Sequence, residues 1–139
     1  MIFVKNNRGF TLVELMLVVI IIGILVAMVA PRLSGRSQQA RIAASQADIN
    51  AHLSTALDLF ELGVGRFPTT QEGLAALRTA PAGVTGWKGP YLKKSVPQDP
   101  WGRNYVYRSP GQRNQEDYDL FSYGPDGVEG GDDDVTNWQ

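Results

Sequence analysis

The chain is organised around Arg8-Gly9-Phe10-Thr11-Leu12-Val13-Glu14, a stretch that leads directly into an apolar run from Leu15 to Ala30. A helix over residues 10–30 is about 31 Å long, which matches the thickness of a bilayer core, about 30 Å. Glu14 is the only charged residue in that span. Because a carboxylate in lipid costs about 2.5 to 3.5 kcal/mol on insertion scales, we expect Glu14 to have a role.

Three interpretations of this segment compete. An ordinary signal anchor would merely tolerate Glu14. A secretory signal peptide needs a small-residue cleavage site after the apolar core, but Ala27 and Ala30 do not have the A-x-A spacing. The third interpretation places the cleavage before the apolar core, between Gly9 and Phe10. We favour it because only this cut uses Gly9, Phe10 and Glu14 together.

The stretch from Gly9 to Glu14 resembles the prepilin peptidase site of type IV pilins and their relatives, the pseudopilins. The resemblance implies that a membrane aspartic peptidase cuts after Gly9 and that the new amine of Phe10 is methylated. Residues 1–9 are then a leader whose basic residues, Lys5 and Arg8, stay on the cytoplasmic side, as the positive-inside rule expects. Residues 10–30 are expected to span the membrane and later to form the core of a filament.

The proposed cut gives Glu14 a partner. Cleavage creates an ammonium group on Phe10 at the start of a helix, where the macrodipole is already positive and lipid excludes water. Glu14 lies about one helical turn away. In a filament the amine of an incoming subunit can also reach the Glu14 of a neighbour. We therefore expect Glu14 to act in assembly.

Composition excludes several classes of function. The chain has no Cys, so disulfides, catalytic thiols and thiolate metal sites are absent. The net charge is only -1, but eight of the 14 acidic residues fall between Glu116 and Asp134. The sequence has no basic stripe with interleaved aromatic residues, and we expect no nucleic-acid partner.

An amphipathic helix is predicted after the apolar run. Apolar residues recur there at three- and four-residue spacing, which is typical of one buried helix face. They are Ala40, Ile42, Ala43, Ala47, Ile49, Leu53, Ala56, Leu57 and Phe60. The helix should end near Glu61 to Gly65, where Gly63 and Gly65 can adopt positive φ and Pro68 prevents continuation. We predict one long N-terminal helix over 10–62 and a single globular domain over 63–139.

The second half of the chain predicts a small sheet. Residues 104–108 and 118–123 are rich in β-favouring side chains, and Ser109-Pro110-Gly111 begins a turn between them. Thr69 and Glu72 have the spacing of a capping box before a short helix. The predicted fold class is therefore α+β: a long helix packed on a small antiparallel sheet, with a metal-binding loop at the C-terminus.

Four further motifs narrow the resemblance to the major pseudopilins of the bacterial type II secretion system. They are Phe67-Pro68-Thr69-Thr70-Gln71-Glu72-Gly73-Leu74, Gly89-Pro90-Tyr91-Leu92-Lys93-Lys94, Asp99-Pro100-Trp101-Gly102 and Tyr118-Asp119-Leu120-Phe121-Ser122-Tyr123-Gly124. The resemblance implies a structural subunit of the pseudopilus, a periplasmic filament that helps export folded proteins across the outer membrane. It also implies a single-pass inner-membrane protein with a periplasmic C-terminal domain.

The same resemblance implies a set of partners. They are further copies of the chain, minor pseudopilins, the prepilin peptidase, and the inner-membrane assembly platform with its ATPase. The ATPase must be a separate protein, because this sequence has no Gly-x-x-x-x-Gly-Lys-Ser/Thr loop.

An acidic, glycine-rich stretch over residues 124–134 offers hard oxygen ligands on a flexible backbone, which is what Ca²⁺ requires. It does not have the spacing of an EF-hand. The alternative is a solvated acidic tail. The family resemblance favours Ca²⁺, and it implies that the side chains of Asp126 and Asp133 bind the ion. The run of three aspartates leaves Asp132 and Asp134 as alternatives to Asp133. Backbone carbonyls complete the implied set, at Leu120, Ser122 and Val128.

Two other functions were weighed. A type IV pilin for adhesion or motility is one, but many such pilins carry a C-terminal Cys pair and a larger head. A membrane-anchored periplasmic enzyme is the other. No nucleophile and base pair supports it, since His52 is the only histidine and there is no Cys. We therefore expect a structural protein and no enzymatic activity.

Overall fold

The computed structural model describes residues 9–138, and for residues 29–34 their backbone only. The basic residues of the predicted leader, Lys5 and Arg8, lie outside the described residues. The chain divides into two compact units, Met1–Ser37 and Gln38–Gln139.

The first unit contains the beginning of helix α1, which spans Leu12–Ala47. Thr11 is its N-cap: its Oγ1 accepts the Glu14 amide at 3.2 Å, and its carbonyl accepts the Leu15 amide at 3.2 Å. The first bond satisfies one of the amides that a helix N-terminus leaves free, and the second is the first regular bond of the helix. The helix therefore begins two residues after the predicted cut.

Large apolar side chains cover this part of α1 on every side. Their exposed fractions run from 45% at Val18 to 76% at Leu12. None of the helices in the described part of the chain is long and apolar enough to cross a membrane.

In the second unit α1 is followed by a π-helical segment, Asp48–Leu53, and then by α2, Ser54–Val64. The buried residues Ser45, Ile49 and Leu53 are each four positions apart. A π-helix has more residues per turn than an α-helix, so residues that are four positions apart in this segment stay on one face of the helix. Sequence periodicity predicted a regular helix here, and the π-helical turn was missed.

Helix α2 ends where the glycines predicted it. Gly65 adopts a left-handed conformation, with φ of 85°, and its amide donates to the Glu61 carbonyl at 2.6 Å. Gly63, by contrast, remains helical. A Cβ on Gly63 would lie 2.9 Å from the Gly86 carbonyl oxygen, so the absence of a side chain there serves close packing.

Three short antiparallel strands form the sheet, in the order β1-β2-β3. They are β1, Val106–Arg108; β2, Asp119–Ser122; and β3, Val135–Thr136. Tyr107 pairs with Leu120, and Phe121 pairs with Thr136. The predicted α+β class is confirmed, although β1 and β2 are shorter than the patterns suggested.

The predicted capping box forms, but the helix that follows it is a 3₁₀ helix, Leu74–Leu77. Thr69 Oγ1 accepts the Glu72 amide at 3.2 Å, and the Glu72 carboxylate accepts the Thr69 amide at 2.8 Å. Arg66 donates two bonds to the same carboxylate, and this pairing holds the pKa of Glu72 at about 2.

One hydrophobic core joins the helical face, the 3₁₀ helix and the sheet of the second unit. Its members are Ile49, Leu53, Ala56, Leu57, Phe60, Leu74, Ala76, Leu77, Tyr105, Tyr107, Tyr118, Leu120 and Val135. The predicted helix face is therefore buried from Ile49 onward, whereas Ala40, Ala43 and Ala47 are exposed. The sheet in this core fixes where the acidic loop between β2 and β3 begins and ends.

Candidate metal loop and processing junction

The predicted cleavage junction lies just before α1. Neither Gly9 nor Phe10 is helical, and both are exposed. A Cβ placed on Gly9 would have no heavy atom within 4 Å. The peptide bond between them is therefore accessible and free of helical hydrogen bonding, as a peptidase requires.

Glu14 lies in the first turn of α1, and its side chain is exposed. A carboxylate in this turn is stabilised by the positive end of the helix dipole. The same carboxylate offsets the dipole at the position where cleavage would place an ammonium group. Thr11 and Glu14 also have the spacing of a capping box. The sequence prediction gave Glu14 a role in assembly and did not include this cap.

The acidic loop connects β2 to β3 and starts with a tight turn. The Gly127 amide donates to the Tyr123 carbonyl at 3.3 Å, and Gly127 has φ of 75°. Asp126 Oδ1 accepts the Val128 amide at 2.8 Å. The turn thus holds the Asp126 carboxylate over its own backbone.

The two acids of the predicted metal site lie close together. Asp133 Oδ2 accepts the Asp126 amide at 3.2 Å. Gly124 lies directly against the backbone of Asp133, because a Cβ on Gly124 would coincide with the Asp133 carbonyl oxygen. Close approach of a glycine therefore brings the beginning of the loop to its end.

Asp134 is an alternative to Asp133 as a predicted ligand, and its two carboxylate oxygens differ in their hydrogen bonding. Its Oδ2 accepts the Gly130 amide at 2.9 Å. Its Oδ1 is buried and has no hydrogen-bond partner among the described residues. A buried anionic oxygen without a donor is costly and calls for a cation or a water. Asp132, the other alternative, is exposed.

The three predicted carbonyl ligands differ in their surroundings. The Leu120 carbonyl accepts the Asn137 amide at 3.1 Å. Ser122 is fully buried, and its Oγ donates to Asp99 Oδ2 at 2.6 Å. Val128 is exposed. In the part of the chain that the structure describes, no group of three or more His, Asp or Glu side chains is arranged to hold a metal ion.

An ion pair borders the loop on its outer side. Arg108 donates to both oxygens of Glu129, at 2.8 and 2.9 Å, and its guanidinium lies 5.1 Å from the centre of the Phe121 ring. This bidentate pairing lowers the pKa of Glu129. Glu129 is therefore held by the sheet and is not available to the interior of the loop.

Two buried carboxylates near the loop were not singled out by sequence analysis. Asp119 is 1% exposed and accepts the amides of Gln112, Arg113 and Asn114. Burial by itself raises the pKa of Asp119, but the three amides outweigh it and leave the pKa below its ordinary value. Asp99 is 4% exposed and accepts the amides of Trp101 and Arg103. The sequence signal for Asp99 was its place in the motif Asp99-Pro100-Trp101-Gly102.

Two known families match different parts of the chain. Residues 4–30 match the prokaryotic N-terminal methylation motif, and residues 32–138 match the family of type II secretion system protein G. The chain is 43% identical to the type II secretion system core protein G of Klebsiella pneumoniae, with 96% of each chain covered. It is 44% identical to the protein of the same name from Pseudomonas aeruginosa, again with 96% of each chain covered.

A solved structure supports the same assignment. The chain resembles the crystal structure of the major pseudopilin from the type 2 secretion system of enterohaemorrhagic Escherichia coli, with 37% sequence identity and a TM-score of 0.65. The similarity covers 76% of this chain and 89% of that one. With its methylation motif, its α+β fold and these relatives, the chain belongs to the protein G family of the type II secretion system, the family of the major pseudopilins.

Proposed function

We propose that this chain is the repeating subunit of a type II secretion pseudopilus, a periplasmic filament that helps export folded proteins across the outer membrane. The observation that carries the proposal is the combination of a methylation motif over residues 4–30 with a protein G match over residues 32–138. The exposed apolar surface of α1 agrees with it. Neighbouring subunits would cover that surface in a filament, and its burial would stabilise the assembly.

The first step of this function is cleavage between Gly9 and Phe10 by the prepilin peptidase, followed by methylation of the Phe10 amine. The support is the methylation motif and the exposed, non-helical junction. Before assembly the protein is held in the inner membrane by residues 10–30, with its C-terminal domain in the periplasm. The basic leader faces the cytoplasm, where the peptidase acts.

Assembly then brings the chain to its partners. These are identical subunits, minor pseudopilins, and the inner-membrane platform with its ATPase. Glu14 pairs with the methylated amine of a neighbouring subunit, because a charge inside an apolar filament core needs an opposite charge.

Mass spectrometry of the protein extracted from membranes tests the processing step. We expect the mature chain to begin at Phe10 and to carry one methyl group on its amine. An intact leader in cells that contain the peptidase, or a chain that begins after Ala30, would contradict the proposal. A Gly9→Leu variant is the control, because a large side chain at the junction should leave the leader in place.

We also propose that the acidic loop binds Ca²⁺. Two observations support the proposal: the loop brings Asp126 and Asp133 together, and the buried Asp134 Oδ1 has no donor among the residues that the structure describes. Asp126 supplies one carboxylate and Asp133 the second, with Asp134 or Asp132 as its alternatives. The carbonyls of Leu120, Ser122 and Val128 are further oxygen ligands. Two carboxylates with several carbonyls suit a cation that takes six to eight oxygens. The bound ion would supply positive charge that offsets the repulsion among the loop acids.

A melting experiment tests the calcium site. The full chain in detergent is melted with Ca²⁺ and with a chelator. At a hundredfold excess over Kd, binding to the folded state adds about 2.7 kcal/mol, which for a unit of this size raises the melting temperature by roughly 10 °C. Asp126→Ala should abolish the difference, and Asp117→Ala, on another exposed loop, should keep it.

The same experiment decides which acid is the second ligand. If Asp133→Ala removes the calcium effect and Asp134→Ala does not, the register implied by the family resemblance is right. The reverse result would assign Asp134, as its unpaired oxygen suggests. A wild-type melting temperature that ignores Ca²⁺ would make the loop a solvated acidic segment.

A further inference from the structure

A turn over residues 99–103, of which only Asp99 is buried, contacts the acidic loop. Asp99 and Arg103 close this turn: the Asp99 amide donates to the Arg103 carbonyl at 2.7 Å, and Asp99 Oδ1 accepts the Arg103 amide at 2.8 Å. The other oxygen, Asp99 Oδ2, lies 3.8 Å from Arg103 Nε. The carboxylate therefore holds the backbone of Arg103 by a hydrogen bond and attracts its guanidinium as an ion pair.

From this position Arg103 reaches the turn that carries Asp126. Its Nη2 donates to the carbonyl of Gly124. Its Nη1 lies against the Cα of Gly127, where any Cβ would collide with it. Gly124 and Gly127 flank Asp126, so one guanidinium contacts the turn on both sides of that residue.

Ser122 provides a second connection between the turn over residues 99–103 and the acidic loop. Its Oγ donates to Asp99 Oδ2 at 2.6 Å and accepts the Gly124 amide at 3.2 Å. The amide of Gly124 is thus held through Ser122, and its carbonyl is held by Arg103. Because Gly124 also lies against the Asp133 backbone, the orientation of this one residue sets the separation between the loop's two ends.

We propose that Arg103 is a positioning residue for the cation site of the acidic loop. It holds the Gly124 carbonyl and covers Gly127, and in this way it sets the direction of the Asp126 carboxylate. Asp99 orients Arg103, and Ser122 completes the connection. The proposal rests on the calcium site proposed above and extends it to residues that contact no ion.

A simple counter-charge role for Arg103 does not fit the contacts. Within the described residues, Arg103 forms its ion pair with Asp99 and not with an acid of the loop. Its remaining donors face a carbonyl and a glycine. A counter-charge would compete with Ca²⁺, so removing it would strengthen binding, whereas removing a positioning residue weakens binding.

Calcium titration calorimetry of the full chain in detergent tests the proposal. Arg103→Gln keeps every oxygen ligand but loses the donors to Gly124, and we expect a roughly tenfold or larger rise in Kd for Ca²⁺, the range found for residues that support metal ligands. Arg103→Lys should recover part of the affinity, because an ammonium can still donate to the Gly124 carbonyl but cannot also cover Gly127.

Arg66→Gln is the matched control. It also removes one positive charge and breaks an ion pair, the one with Glu72, at a place remote in sequence from the loop. It should lower the melting temperature equally with and without Ca²⁺ and leave Kd unchanged. A merely structural Arg103 would behave in the same way, so a Kd for Arg103→Gln within twofold of wild type would overturn the proposal. Tighter binding by Arg103→Gln would also overturn it.

Hydrogen exchange in the presence of chelator separates this proposal from the calcium site itself. We expect faster exchange of the Gly127 and Val128 amides in Arg103→Gln, because both amides are bonded inside the turn that Arg103 holds. If the wild type binds no Ca²⁺, the calcium site fails and the positioning role fails with it. Faster exchange would then show only that Arg103 orders the turn. Unchanged exchange in a wild type that does bind Ca²⁺ would overturn the positioning role alone.

Discussion

At the scale of single residues, the most constrained charge in the second unit is Asp119. It lies in β2, is almost completely buried, and accepts three consecutive backbone amides from the segment between β1 and β2. No cation forms an ion pair with it in the part of the chain that the structure describes. The amides therefore carry the stabilisation, and they hold the turn after Gly111 against the sheet.

Asp119→Asn should destabilise the second unit by about 3 kcal/mol. The amide side chain is nearly isosteric, but it has one acceptor oxygen and no charge, so charge-assisted bonds are lost and an NH₂ group faces backbone amides. Urea unfolding of the full chain in detergent measures the change. Glu116→Gln, on an exposed position of the same segment, should remain within about 0.5 kcal/mol of wild type. An equally small effect for Asp119→Asn would contradict the role of the amides.

At the scale of elements, the π-helical segment is the main departure from the sequence prediction. In an α-helix with 3.6 residues per turn, residues at steps of four rotate gradually around the helix, so Ser45, Ile49 and Leu53 would not stay on one face. The π-helical turn over Asp48–Leu53 has more residues per turn and compensates for this rotation. Such a turn is in effect one extra residue in an α-helix, and here it keeps Ser45 on the same face as the buried residues Ile49 and Leu53.

Deletion of Ala51, which is exposed, should therefore be tolerated. It changes the spacing of the buried set to alternating steps of four and three, which an α-helix matches, so Ile49 and Leu53 can stay in the core. We expect a melting temperature within a few degrees of wild type and a slightly higher α-helical signal in circular dichroism. Insertion of one Ala after Ala51 is the control: it makes the step five residues and should destabilise strongly. A deletion variant as unstable as the insertion would contradict this account.

At the scale of the whole molecule, the two ends of the chain contribute different parts of the function. In the proposed function, the first unit supplies the apolar surface and Glu14 for assembly, and the second supplies a folded domain with the acidic loop. The large apolar side chains of the first unit are exposed in the isolated chain, so we expect filament formation to depend on this unit. The hydrophobic core lies in the second unit, and the stability of that unit depends on it.

Glu14→Ala should separate processing from assembly. Because the proposed cleavage site is the junction between Gly9 and Phe10, we expect normal cleavage and methylation. Because the amine of an incoming subunit then lacks its partner, we expect few crosslinked oligomers and reduced secretion. Mass spectrometry reports the first and crosslinking ladders report the second. Glu14→Asp is the control and should recover part of the assembly, whereas normal ladders from Glu14→Ala would show that the carboxylate is only tolerated.

The amino-acid sequence by itself determined the features that depend on neighbours along the chain. The processing motif over residues 9–14 is one, and the capping box between Thr69 and Glu72 is another. The end of the helix between Glu61 and Gly65 followed in the same way, although the sequence did not decide between Gly63 and Gly65 as the left-handed residue. Each of these is encoded within about five residues, because a cap or a helix stop involves only local backbone geometry. The α+β class followed from the order of such local patterns along the chain. The family resemblance added the prediction that acids of the loop bind Ca²⁺. It did not decide whether Asp133 or Asp134 is the second ligand.

Only the tertiary structure decided the contacts that join distant segments. The π-helical turn depends on what packs against both sides of it, so local periodicity does not encode it. The bond between Asp99 and Ser122 spans 23 residues of sequence, and the one between Arg103 and Gly124 spans 21. Any Asp and any Arg in a turn motif have the same local pattern whether they face solvent or a neighbouring loop. Their contacts with Ser122 and Gly124 are what connect Asp99 and Arg103 to the candidate calcium site.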